Sequence, residues 1–125
     1  MPKRSLIMLC AVLMLSCMTG CHFCEKGALT VLGGEPVDYQ CENGDLIVAR
    51  YYTLSDSSLH FVKVLMPDNE EYTLPQSISG SGVRYTDDMT LVWWIKGDSA
   101  SVEMRNDNGD WQTIYENCCV VSTSN

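Results

Sequence analysis

Histidine is scarce in this 125-residue chain, with His22 and His60 the only two. His22 lies near the start and His60 inside a strand-like pattern, so a Ser-His or Cys-His nucleophilic pair has little to draw on. No Gly-x-Ser-x-Gly follows a strand and opens a helix, and Gly80-Ser81-Gly82 is therefore not a nucleophile elbow. The acids are scattered over turns rather than paired, which argues against a two-carboxylate hydrolase. Cys21-His22-Phe23-Cys24 has CxxC spacing, but no strand precedes it and glycines follow, unlike a thioredoxin motif. No histidine follows Cys24, so it is not a haem attachment site, and a zinc site needs more ligands than the region offers. These absences point to a protein that is not an enzyme and holds no metal or cofactor. Basic charge is scarce as well. Lys and Arg number 8 against 16 Asp and Glu, for a formal net charge of -8. That balance repels nucleic acid and attracts basic proteins.

Long apolar runs are also missing. Leu6 to Leu15, broken only by Cys10, is too short to span a bilayer as a stable helix. Preceded by Lys3-Arg4 and followed by small residues, it reads as a signal peptide over residues 1–20. Met18-Thr19-Gly20-Cys21 resembles a bacterial lipobox, which makes Cys21 the expected lipidation site. Cys17 is a second candidate, and a plain secretory signal is the alternative. By resemblance to Gram-negative lipoproteins, His22 in place of an acid after Cys21 favours the outer membrane, with the domain facing the periplasm. Removing residues 1–20 takes Lys3 and Arg4 but no acid, so the 8 basic residues become 6 against 16 acids and the net charge becomes -10.

Four cysteines then remain in an oxidising compartment: Cys24, Cys41, Cys118 and Cys119. Neighbours such as Cys118 and Cys119 rarely bond each other. That leaves 41–118 with 24–119, or 41–119 with 24–118.

After a Gly-rich stretch read as a tether over residues 21–36, no amphipathic helix is visible. Eight short runs of β-branched and aromatic residues recur instead, separated by turn residues. They begin at Val37 to Glu42, Leu46 to Thr53, Leu59 to Met66 and Glu71 to Leu74. Val83 to Thr86, Met89 to Lys96, Ser99 to Arg105 and Trp111 to Cys119 follow. The expected fold is all-β: a small antiparallel eight-stranded barrel or sandwich over residues 37–125, its inside filled by side chains. Alternation puts Val37, Tyr39 and Cys41 on one face, and Ile114 with Cys118 on one face of the last strand. If both faces look inward, Cys41 meets Cys118, and Cys119 is left to reach Cys24. By the same parity Trp93 packs inward and Trp94 outward, on the face of Lys96.

Ser79-Gly80-Ser81-Gly82-Val83-Arg84-Tyr85, followed by Trp93-Trp94-Ile95-Lys96-Gly97, resembles the bacterial membrane-bound and periplasmic inhibitors of c-type lysozyme. Tyr39-Gln40-Cys41 and Asn117-Cys118 resemble that family's opening and closing cysteine segments. Cys24, Cys119 and one extra residue near Asp87-Asp88-Met89 depart from its pattern. The resemblance implies an eight-stranded antiparallel barrel; a monomer or weak dimer is the expected state. The resemblance also implies that Ser81 and Lys96 meet the two catalytic carboxyls of c-type lysozyme, with Gly80, Gly82, Arg84, Tyr85 and Gly97 supporting the loops.

The chemistry agrees with that assignment. An ammonium pairs with an ionised carboxylate, a hydroxyl serves a carboxyl in either state, and glycines allow close approach and φ > 0. Arg84 is expected to pair with an acid such as Asp87 or to hold loop carbonyls. Without the resemblance, Ser81 reads as a turn residue and Lys96 as an ordinary strand-end lysine. A structural or adhesive envelope lipoprotein without inhibitory function is the alternative reading.

Overall fold

The computed structural model describes residues 27–121. The expected signal segment, the lipidation site Cys21, and Cys24 lie outside the described residues. Eight antiparallel strands close into a barrel, each paired with the next in chain order. They are β1 (Val31–Gln40), β2 (Leu46–Leu54), β3 (His60–Leu65), β4 (Glu71–Ser77), β5 (Val83–Thr86), β6 (Leu91–Lys96), β7 (Ser99–Arg105) and β8 (Trp111–Val120). This is the all-β barrel expected from the sequence. Among the described residues, no helix is long and apolar enough to cross a membrane.

Period-two alternation builds the core, because successive side chains on a strand face opposite sides. Ile47 and Ala49 of β2, Val62 and Val64 of β3, Leu91 and Trp93 of β6, and Val102 of β7 are fully buried. Trp93 fills the centre. Its indole N–H donates to the Tyr51 hydroxyl at 3.0 Å, and Tyr51 shares a second hydrogen bond with Tyr39 at 2.9 Å. Tyr39 also meets the Trp93 ring edge-on at 5.0 Å. Burial, followed by the Tyr39 bond, pushes the Tyr51 phenol well above the ordinary tyrosine range, so it stays neutral. Among the described residues no fully buried side-chain nitrogen or oxygen lacks a hydrogen-bond partner, as a packed interior requires.

The seam between β1 and β8 is narrow. Only Tyr39 pairs with Val120 and Gln40 with Cys119 in the ladder. Cys41 and Cys118, both buried, are joined by a disulfide immediately beside it, with S–S at 1.98 Å. The inward pairing of 41 with 118 is the one the alternation favoured.

Three expectations are corrected by backbone irregularities. The stretch read as tether up to Pro36 is strand from Val31 onward. Gly33 and Gly34, at φ 99° and 98°, make a bulge inside β1 rather than a linker, and the register with β2 shifts between Gly33 and Pro36. Ile114 does not face inward with Cys118; it is 41% exposed. Register shifts on either side of Val102 put two extra residues into β8, which gives the inward position to Tyr115, opposite Val102. β6 starts at Leu91 rather than Met89, because Asp87 gathers the following turn.

The Asp87 carboxylate accepts N–H bonds from Met89 at 2.9 Å, Thr90 at 2.7 Å and Leu91 at 3.2 Å. Partial burial alone would raise its pKa, but these backbone donors prevail and hold the carboxyl below the usual aspartate range. Thr86, a buried polar side chain, closes the same turn. It donates to the Leu91 carbonyl at 2.8 Å and accepts from the Asp88 N–H at 2.9 Å.

Two outcomes follow. Replacing both Cys41 and Cys118 by alanine opens a loop with sequence separation 77 and should lower unfolding free energy by about 4 kcal/mol in urea titrations. A loss below about 1 kcal/mol would show that the short ladder closes the barrel unaided. For Asp87, whose folded pKa is depressed, the stabilisation is present above its unfolded value and lost as pH falls through the folded one. Asp87→Asn should therefore lower the melting temperature at pH 7 and have little effect at pH 2; an equal loss at both would refute the assignment.

Candidate functional site

Hairpin turns alternate between the two ends of an up-and-down barrel. The β1–β2, β3–β4, β5–β6 and β7–β8 turns share one end, and the β2–β3, β4–β5 and β6–β7 turns the other. The β4–β5 loop carries Ser79, Gly80, Ser81 and Gly82, and the β6–β7 turn carries Gly97 next to Lys96. Both halves of the expected contact therefore emerge at the same end. They lie on adjacent hairpins, because β5 pairs with β6 through Val83↔Ile95 and Arg84↔Trp94.

Gly82 joins the two loops directly. At φ 66° it occupies the left-handed region, and a Cβ there would overlap the Ile95 carbonyl oxygen and press on the Lys96 Cγ at 3.1 Å. Only glycine lets the serine loop lie against the lysine stem. Gly80 does not share this role: it has no positive φ, and nothing stands within 4 Å of a Cβ built on it. The expectation that both glycines adopt positive φ holds for Gly82 alone. Gly97 has φ 58° and turns the chain tightly after the lysine, where Lys96 pairs with Ser99.

Trp94 holds the site together. Half-buried on the outer face, its indole N–H donates to the Ser81 carbonyl at 3.0 Å, and the Ser79 hydroxyl donates to that same oxygen. The Lys96 Nζ lies 3.7 Å from the Trp94 ring centroid, a cation–π contact across two positions of one strand. Parity in the sequence indicated the outward face of Trp94. The bond from its indole to the serine loop had no sequence signal, because it depends on how the β4–β5 loop folds back.

Lys96 is exposed and has no carboxylate or carbonyl partner among the described residues. The other described basic side chains are all engaged. Lys63 pairs with Glu71 at 2.8 Å, Arg50 donates to the Gly34 carbonyl at 2.9 Å, and Arg105 donates to the Gly109 carbonyl at 2.9 Å. Arg84 reaches Asp88 at 3.7 Å and the Ser77 hydroxyl at 3.3 Å. Its acid is Asp88 and not Asp87, whose carboxylate is already occupied by three backbone donors. The Ser81 hydroxyl likewise has no partner among the described residues. Tyr85 lies in the core, 5.7 Å from Tyr51, and supports the loop as part of the barrel wall.

The acids of the turns are shared unevenly between the two ends, although Glu116 of β8 lines the same depression as Trp94 and Lys96. The four turns at the far end hold eight acids, whereas the three turns at the Ser81 end hold two, Asp56 and Asp98. No group of three or more His, Cys, Asp or Glu among the described residues is arranged to hold a metal ion. Cys119 is exposed and unpaired among the described residues, and its expected partner Cys24 lies outside them.

The model of one protein family, membrane-bound lysozyme-inhibitor of c-type lysozyme, matches residues 39–111. Three curated proteins named membrane-bound lysozyme inhibitor of C-type lysozyme are similar to this chain. The Escherichia coli K12 protein is 30% identical over 116 residues, covering 93% of this chain and 91% of its own. The Yersinia enterocolitica protein is 32% identical over 115 residues, covering 92% and 80%. The Pseudomonas aeruginosa protein is 37% identical over 76 residues, 61% of this chain, and the match spans about half of that relative's length, 54%. No solved structure matches.

Gly82→Ala should displace the serine loop from Lys96 and lower stability by about 1–3 kcal/mol, the usual cost of an L-residue held in a strained backbone region. Thermal unfolding measures the loss, and a shift in Trp94 emission reports the displaced loop. Gly80→Ala, in open space, should change neither. Equal behaviour of the two variants would refute the contact.

Proposed function

The chain belongs to the family of membrane-bound lysozyme-inhibitors of c-type lysozyme, and from that premise we propose that it inhibits a c-type lysozyme by masking the enzyme's two catalytic carboxyls with Lys96 and Ser81. The observation that carries the reading is the state of Lys96. Its ammonium has no acid partner among the described residues, yet it is held in place over Trp94.

A lysozyme cleft keeps one carboxyl protonated and the other ionised. The Lys96 ammonium supplies a charge-assisted hydrogen bond to the ionised group. The Ser81 hydroxyl, also free, donates to or accepts from the protonated one. Trp94 and Gly82 settle the relative position of the two loops before the encounter, so little side-chain freedom is lost on binding. The protein acts as a stoichiometric plug rather than as an enzyme.

The relatives' names include the words membrane-bound. They support an envelope location in which Cys21 carries a lipid anchor in the outer membrane, facing the periplasm, and the barrel stands off on the residues that follow. A second disulfide between Cys24 and Cys119 completes the proposal.

Lysis of cell-wall substrate by c-type lysozyme should be blocked by the full chain, while lysis by a g-type enzyme should proceed. Lys96→Ala should weaken inhibition by about 2–5 kcal/mol, the typical cost of leaving the opposite charge unpaired in an interface. Ser81→Ala should weaken it by about 1 kcal/mol, a neutral hydrogen bond's net worth. Inhibition by Lys96→Ala equal to the parent's would sink the assignment of the lysine.

A further inference from the structure

The loop that carries Ser81 opens on Ile78, which is 98% exposed, the most exposed large hydrophobic side chain among the described residues. Isoleucine ranks among the residue types most often found fully buried. Across an open depression of about 490 Å³ from it stands Leu59 of the β2–β3 loop, 42% exposed. Gly82, Ser79 and His60 line the same depression, so it is continuous with the Ser81–Lys96 surface through Gly82. The surroundings are poor in charge, because this is the barrel end whose turns hold only Asp56 and Asp98. Few charges around exposed apolar side chains is the composition of an interface core, where desolvation costs least. The loop is also held in place: Trp94 and Ser79 both bond the Ser81 carbonyl, so Ile78 projects from a braced segment.

We propose that Ile78 and Leu59 form an apolar contact with the rim of the lysozyme cleft, seating a side chain of the enzyme in the depression between them beside the Ser81–Lys96 contact. The proposal deepens the reading that this chain binds c-type lysozyme and rests on it. The two contacts divide the work. Lys96 and Ser81 recognise carboxyls that any retaining or inverting acid pair offers. The apolar pair reads the shape of the rim, which differs between enzymes, and so sets selectivity among lysozymes.

The test is the affinity of the full chain and of Ile78→Ser, Leu59→Ser, Ile78→Val and Lys96→Ala for a c-type lysozyme, at low and at high salt, with melting temperature and sedimentation of each free variant. Ile78→Ser should bind about 10- to 100-fold more weakly, the range expected when a large aliphatic side chain loses its buried place. That loss should persist at high salt, with the melting temperature unchanged, while Ile78→Val stays within about threefold of the parent. Leu59→Ser should also weaken binding. If the parent and Lys96→Ala differ as expected and Ile78→Ser binds like the parent, the apolar contact is refuted while the inhibitor reading stands. If Ile78→Ser changes self-association instead of lysozyme affinity, the patch serves a second copy of this chain and the proposal is refuted. A parent that does not bind c-type lysozyme at all overturns both.

Discussion

The indole of Trp94 braces two loops that the pairing of β5 with β6 brings side by side. Its N–H is spent on the Ser81 carbonyl and its ring face on the Lys96 ammonium. The cross-strand pair Arg84↔Trp94 sets where that indole can stand. Gly82 then permits the approach that the indole bond requires, because any side chain there would meet the Ile95 carbonyl. The site thus depends on one hydrogen bond, one ring face and one missing Cβ. All three lie where the β4–β5 loop meets the β5–β6 hairpin, whose inner face is anchored by Tyr85, Leu91 and Trp93. Inward burial on alternate positions is what makes the outward positions stiff.

The placement of charge gives the acidic composition a second meaning. On the proposed reading, a surface that meets carboxyls is better served when few of its own stand nearby. At 4 Å two like charges repel by about 1 kcal/mol even in water and by several times that where water is thinned. The turns at the far end carry the acids, with Asp87 and Asp88 held by backbone amides and Arg84 rather than projecting towards the Lys96 end. A net negative charge still draws a basic protein through solution. Polarity along the barrel axis separates that long-range attraction from the short-range contact, so one molecule can be acidic overall and present a free ammonium where it counts.

Much of the fold was legible because period two is the only rule most of the strands obey. Tyr39 and Cys41 inward, Trp93 inward and Trp94 outward all follow from it, and so does the pairing of Cys41 with Cys118. The rule fails where a strand gains a residue. Gly33-Gly34 read as a linker because glycine pairs mark loops in sequence, yet a bulge uses the same positive φ that a turn does. In β8 two extra residues opposite Val102 move the inward position from Ile114 to Tyr115, and no residue type in Ile114-Tyr115-Glu116-Asn117 announces it apart from Asn117, which adopts φ 49°. At the site, Lys96, Ser81, Gly82 and Gly97 were readable from their family pattern. Whether Lys96 is paired, and what Trp94 bonds, depends on contacts between hairpins and is written in no single strand.

Size completes the argument. A barrel of this length is filled by its own side chains: Trp93, Tyr51 and Tyr39 occupy the centre and satisfy one another's polar tips. With the interior filled in this way, the barrel offers its open depressions at its ends and on its outer wall, where recognition can take place. An end built from two-residue and five-residue turns on a closed sheet has few ways to move. Such a surface suits contact with a partner better than enclosure of a small ligand. The bracing of that end by Trp94 and Gly82 holds the Lys96 ammonium and the serine loop side by side, which is the property that the proposed masking of an acid pair draws on.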